Sequence, residues 1–227
     1  MSELMREIPY LLLVAGGSLI GLWWANYFFD HGISHWRSRK VAHAFGGGAS
    51  LLAALLFESW VLPVALATMF ALILGIANRL APKTFRGTGG SGRNTRAMSE
   101  FWFGFSTALI WGIGWGVFNR PIESTACILM MSWGDAVGGW VRAFRYNTAT
   151  KGWEGSMVNL CVCMVLAWAF LSPLWLGVLA AVGAAAAEYA CGDVSKIRFL
   201  RWADDNLFIP VVAALIYFGG LYAIGAL

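Results

Sequence analysis

The sequence predicts an all-α, polytopic membrane protein: a single domain over residues 1–227, built as one bundle of about eight transmembrane helices. Three observations predict it. Hydrophobic residues make up 59% of the 227 residues and charged residues only 12%, where a soluble domain carries about 25%. The chain divides into long charge-free spans. The basic residues gather in every second connection between those spans. The same composition excludes a soluble globular domain, a disordered chain, a coiled coil and a disulfide-stapled secreted module. No nucleic-acid partner is expected.

The spans follow in order. Pro9–Phe29 carries no charge and is long enough to cross a bilayer. Met1 to Ile8 lacks the basic start and small-residue cleavage site of a signal peptide, so this first span is expected to be retained. Val41–Phe57 is apolar except for His43 and Ser50, and Ser59–Asn78 and Phe101–Asn119 are charge-free. Ser124–Val141 is apolar except for Asp135. Gly155–Ala187 is too long for one crossing, and Ser172-Pro173 near its middle predicts a turn between two short helices. Asn206–Leu227 is the last span. A count of seven is the alternative.

The connections favour eight. Arg37, Arg39 and Lys40 follow the first span; Arg79, Lys83, Arg86, Arg93 and Arg96 the third; Arg142, Arg145 and Lys151 the fifth; Lys196, Arg198 and Arg201 the seventh. These alternate connections hold 14 of the 16 basic residues, and with eight helices all fall on one face. The positive-inside rule makes that face cytoplasmic and puts both termini on the opposite side. Cys127, Cys161, Cys163 and Cys191 form no metal-type pair and read as free thiols, most of them buried.

Several polar residues are costly so close to a bilayer. Asp135 sits among glycines in Ser132-Trp133-Gly134-Asp135-Ala136-Val137-Gly138-Gly139. It is either a structural ion-pair partner or a functional carboxylate. Glu188 ends an alanine run, either as a helix-end carboxylate facing headgroups or as a metal ligand or base. Arg39, Lys40 and His43 open the second span above Gly46-Gly47-Gly48, a pattern that suits a phosphate or a close helix crossing. Lys151 with Gly155 and Ser156 opens the sixth, where backbone N–H groups can meet an anion. In Asp204-Asp205-Asn206, Asp205 or Asn206 is the expected helix cap, and the paired carboxylates can also hold Mg²⁺. Gly87 to Asn94 is a glycine-rich connection without a Walker motif, read as a linker or a lid. All these groups fall on the same face, where a membrane lipid and a cytosolic nucleotide can meet. That is the logic of phosphoryl or nucleotidyl transfer.

Four of these segments, in this order, resemble the phytol kinase/dolichol kinase family of CTP-dependent lipid kinases, which is related to the phosphatidate cytidylyltransferases. Arg39-Lys40-Val41-Ala42-His43 resembles its RKxxH element, and Gly134-Asp135-Ala136 its GD(A/G) element. Lys151-Gly152-Trp153-Glu154-Gly155-Ser156 resembles K(S/T)xxGS. Glu188 followed by Asp205-Asn206-Leu207-Phe208-Ile209-Pro210 resembles E…DNLTIP. Where the family has a GR or GK step after GD, this chain reads Trp140-Val141-Arg142-Ala143-Phe144-Arg145-Tyr146, so Arg142 and Arg145 are expected to take over part of that contribution.

The resemblance implies a kinase for a long-chain prenol such as phytol, geranylgeraniol or a polyprenol, with CTP as donor and Mg²⁺ as cofactor. By carry-over, Asp135 binds the metal–triphosphate, with Asp205 or Glu188 as second ligand or base. Arg39, Lys40, His43, Arg142, Lys151, Gly155, Ser156 and Asn206 line the nucleotide site. Diacylglycerol kinase, CDP-lipid-forming cytidylyltransferase and ion-coupled transporter are the competing readings.

Overall fold

The computed structural model describes residues 3–81, 83–88, 99–146, 151–192, 197 and 204–227. Within them the chain is helical, without a strand. The helices are α1 (Glu3–Asp30), α2 (His35–Leu56), α3 (Val61–Leu80), α4 (Ser99–Ile110), α5 (Pro121–Leu129), α6 (Asp135–Tyr146), α7 (Trp153–Phe170), α8 (Leu174–Ala190) and α9 (Asp205–Ala223). A π turn at Trp111–Trp115 extends α4, and another at Met130–Gly134 joins α5 to α6 without a break. The described residues therefore form eight rods, as the spacing of charges predicts. The segments 6–30, 61–80, 153–170 and 205–223 are each long and apolar enough to cross a bilayer, and α8 is a shorter apolar helix.

Local chemistry sets the boundaries. Pro121 starts α5 at a position where its missing N–H costs nothing. The expected break at Ser172-Pro173 falls between α7 and α8, and Tyr217 Oη ties it down by donating to the Ser172 carbonyl at 2.6 Å. The cap of α9 is Asp204, whose side chain accepts from the Asn206 N–H at 3.0 Å. This corrects the expectation that Asp205 or Asn206 caps the helix. Both lie inside it, where their side chains are free to face the bundle. The helices also run further into the basic segments than the charge-free spans do. Arg37, Arg39 and Lys40 belong to α2, Arg79 to α3, and Arg142 and Arg145 to α6. Lysine and arginine are good helix formers, so charge marks the edge of the apolar span and not the end of the helix.

The centre of the bundle is α5, buried from Ser124 to Leu129 and continuing into buried Met130 and Met131. It packs against α2, α4, α7 and α9. Large apolar side chains such as Leu13, Trp23, Ile73, Trp168 and Leu215 stand exposed on the outer faces, as lipid-facing positions should. All four cysteines are free, with Cys127, Cys163 and Cys191 buried and Cys161 exposed. Arg93 and Arg96, most of the glycine-rich connection, and Lys196, Arg198 and Arg201 lie outside the described residues.

Candidate active site at one end of the bundle

The N-terminal ends of α2, α4, α7 and α9 meet the C-terminal ends of α6 and α8. Even-numbered rods begin there and odd-numbered rods end there, so a single end of the bundle receives charged residues from most of its members. Asp135 is the innermost. It is wholly buried, and its Oδ2 accepts from Lys40 Nζ. His43 Nδ1 stands 3.5 Å from the same oxygen, and Arg142 Nη2 lies 3.6 Å from Oδ1. Lys40 and His43 are close to one turn apart on α2, which puts both on the face turned to α6.

A second group is continuous with the first. Arg142 reaches across to α8 and donates from Nη1 to Glu188 Oε1 at 2.6 Å. Lys151 donates to Glu188 Oε1 at 2.8 Å and to the Glu188 carbonyl at 2.6 Å, and stands 3.4 Å from Asp205 Oδ2. Ser156 Oγ donates to Glu188 Oε2 at 2.8 Å. Glu188 is fully buried, so the exposed helix-end alternative is set aside. Burial disfavours the Lys151 ammonium, but Glu188 and Asp205 outweigh it and hold Lys151 above the ordinary lysine range. Asp204 responds the other way: burial, and then the Asp205 carboxylate, push it up to about 6.

The structure thus gathers Asp135, Glu188, Asp205, Lys40, His43, Arg142, Lys151 and Ser156 into one network. Arg39 joins it electrostatically: it is buried within the fields of Asp205, Asp135, Glu100 and Asp204, and its Nη1 has no hydrogen-bond partner. Gly155 and Asn206 take other parts. A Cβ on Gly155 would fall 2.8 Å from the Gly138 carbonyl and collide with Arg142, so this glycine allows α6 and α7 to touch. Asn206 donates from Nδ2 to the Ser99 carbonyl at 2.9 Å, while Ser106 Oγ donates to the Asn206 carbonyl at 2.8 Å. It clamps α9 to α4 beside the network. Gly47 likewise serves a close crossing, since a Cβ there would collide with Ser132 and Trp133. Arg145 is largely exposed, 3.9 Å from Glu154, and stands apart from its expected role beside Arg142.

An apolar cavity opens beside the network, between α1, α2, α3 and α4. It is a half-open cleft and not a closed chamber. Arg39, His43, Thr88 and Glu100 line its polar end. Glu100, in the first turn of α4, was not singled out by the sequence analysis. The available signal was a lone carboxylate at the basic end of an otherwise charge-free span.

A phytol kinase from Synechocystis sp. (strain ATCC 27184 / PCC 6803 / Kazusa) is 28% identical to this chain, over 82% of the chain and 79% of that protein. This similarity supports the resemblance of the four segments to the phytol kinase/dolichol kinase family. No family model and no solved structure matches it. The four segments that resemble that family's elements supply Arg39, Lys40 and His43, then Asp135, then Lys151 and Ser156, then Glu188 and Asp205. These residues are scattered over most of the sequence, yet they meet at one end of the bundle.

The donor set bears on Mg²⁺. Among the described residues no group of three or more His, Cys, Asp or Glu side chains is close enough to hold a metal by itself. Asp135 Oδ1 is buried without a hydrogen-bond partner, and the Lys151 contact of Asp205 is long. Carboxylate oxygens of this kind fit Mg²⁺ when phosphate oxygens and water complete its shell.

Proposed function

We propose that the chain is a membrane kinase that phosphorylates the hydroxyl of a long-chain prenol, of the phytol or geranylgeraniol type, with CTP as donor. The observation that carries this reading is the buried Lys40–Asp135–Arg142–Glu188–Lys151–Asp205 network beside an apolar cavity, in a chain similar to a phytol kinase. A triphosphate needs cations, a lipid needs apolar walls, and transfer needs the two adjacent. The cations that balance the three buried carboxylates in the structure are the groups that would turn to the phosphates when nucleotide binds.

In the step itself, the alcohol oxygen bonds to the terminal phosphorus. The bond from that phosphorus to the bridging oxygen breaks, and the nucleoside diphosphate leaves. The hydroxyl proton passes to a carboxylate of the network by way of His43, which lines the cavity 3.5 Å from Asp135 Oδ2. Lys40, Arg142 and Lys151 neutralise charge on the transferring group, and positioning does most of the work. Mg²⁺ held between Asp135, Asp205 and the triphosphate would add charge neutralisation there. Ser156 orients Glu188, and Glu188 in turn holds Arg142 and Lys151. Basic residues concentrate at the end of the bundle that carries the network, which favours a cytoplasmic active site with both termini opposite.

The test is a donor-by-acceptor assay on the purified protein. γ-Labelled CTP, ATP, GTP or UTP with Mg²⁺ is offered against phytol, geranylgeraniol, a polyprenol and diacylglycerol. Label in a prenol with CTP, and CDP as co-product, is the expected result. Pyrophosphate release with a lipid phosphate as acceptor would replace this reading with cytidylyl transfer.

A further inference from the structure

The cavity between α1 and α4 has a plan of its own. Its walls include Val14 and Leu22 of α1, Ala49 and Ala53 of α2, Leu66 of α3 and Trp111 of the π turn after α4. The hydroxyls along it are already committed. Ser18 Oγ donates to the Val14 carbonyl at 3.1 Å, Ser50 Oγ to the Gly46 carbonyl at 2.9 Å, and Thr107 Oγ1 to the Phe103 carbonyl at 2.9 Å. A ligand therefore meets an apolar wall over most of the length. Only one end is polar, and there the buried Arg39 guanidinium has an unpartnered Nη1 beside His43 and Glu100. The other end is stopped by Trp111, whose indole N–H donates to Thr125 Oγ1 at 2.9 Å and so is fixed in place. Between Arg39 and Ala53 the rise of α2 is about 21 Å. That matches the reach of a C20 isoprenoid chain.

We propose that this cavity is the acceptor-lipid site. It holds one isoprenoid chain with its tail towards Trp111 and its hydroxyl among Arg39, His43 and Glu100, and its depth sets the longest chain accepted. This rests on the prenol-kinase reading and deepens it. The substrate class is a C15–C20 prenol, and polyprenols and diacylglycerol are poor acceptors. Arg39 and His43 belong to both the cavity and the charged network, so a hydroxyl at the polar end already faces the phosphate side.

The experiment shortens the cavity from its far end. Ala53→Phe in the full chain, in lipid nanodiscs, is assayed with prenols of C10, C15, C20 and C45. Catalytic efficiency with C20 is expected to fall at least tenfold, while that with C10 stays within about twofold and CTP affinity is unchanged. Ala49→Leu, one turn nearer the polar end, shifts the cut-off to shorter chains and serves if Ala53→Phe does not insert. In parallel, a diazirine-bearing C20 prenol is cross-linked to the wild type and the labelled peptides are identified. Label on cavity-lining positions of α2 and α4, lost in Ala53→Phe, supports the assignment. An unchanged length profile, an equal loss at every length, or label confined to the outer helix faces overturns it. If the wild type transfers phosphate to no prenol, the kinase reading falls. The cross-link then still decides whether an isoprenoid chain occupies the cavity.

Discussion

Lys151 holds Glu188 twice, through the side-chain Oε1 at 2.8 Å and through the backbone carbonyl at 2.6 Å. One ammonium thereby closes the open end of the α7–α8 pair and supplies a cation to the site. Structure and binding are joined in a single side chain. Lys151→Ala is expected to weaken CTP binding at least tenfold and to lower the thermal midpoint in detergent. Equilibrium binding with a fluorescent nucleotide measures the first, and an unchanged affinity would remove Lys151 from the nucleotide site. Lys151→Arg should not rescue, because the guanidinium fork is too large for a contact that also requires the Glu188 carbonyl.

Asp135→Asn keeps the shape of the side chain and removes its charge. Phosphoryl transfer should fall more than 100-fold while the protein still inserts and elutes as the wild type does. Asp135→Ala leaves Lys40 facing a void and should cost about 3–5 kcal/mol of stability, the range for a buried ion pair with one partner deleted. Near-normal turnover in Asp135→Asn would refute its place at the transferring phosphate.

Ser156 donates a single hydrogen bond to Glu188 Oε2. Its loss in Ser156→Ala should cost about 1 kcal/mol and lower kcat severalfold, with less effect on lipid KM. A variant indistinguishable from wild type in steady-state kinetics would show that Glu188 needs no such orientation.

Asp204 sets a pH dependence. Its pKa rises on folding to about 6 from an ordinary 3.8, so between these values the folded state binds more protons than the unfolded state. Stability from this group therefore falls as pH rises from 4 to 6, and the full penalty stands above 6. Asparagine caps a helix as well as aspartate does and carries no charge. Asp204→Asn is expected to raise the thermal midpoint at pH 8, with the gain shrinking towards pH 4. An equal gain at both values would rule out the charge as its source.

Chelation probes the cation. EDTA should abolish transfer to prenol and Mg²⁺ should restore it. The thermal midpoint without nucleotide should not move, because among the described residues no carboxylate cluster is built to hold an ion alone. A large shift on chelation without nucleotide would argue for a resident metal.

Much of the site was legible because charge is conspicuous in an apolar sequence. Asp135, Glu188 and Lys151 each interrupt or border a charge-free run, and their distance from water requires partners. The identity of those partners was not legible. Arg142 turns inward and Arg145 outward, although only two residues separate them, because helical phase relative to α8 decides, and phase depends on packing. Asp204 rather than Asp205 caps α9 for the same reason: one residue changes which carboxylate faces the bundle. Glu100 was hidden by its place at the edge of a basic connection. The cavity was hidden because its alanines and leucines read like any helix contact. The eight rods were legible, since they need only length and the spacing of charge.

The π turn at Met130–Gly134 directly precedes Asp135. A π turn accommodates one residue more than an α-helical turn, and each residue advances a helix by about 100°. The wider turn therefore absorbs its extra residue locally, and Asp135 to Tyr146 keep the phase that brings Asp135 to Lys40 and Arg142 to Glu188. One residue added elsewhere in the rod, with no such turn to absorb it, would swing everything beyond it by about 100° and part both pairs. The apolar character of the rod would be almost unaltered, and the insertion machinery of the cell would read it as the same span. Such an indel is a lesion of angle alone, silent to hydropathy and fatal to the meeting of α2, α6 and α8.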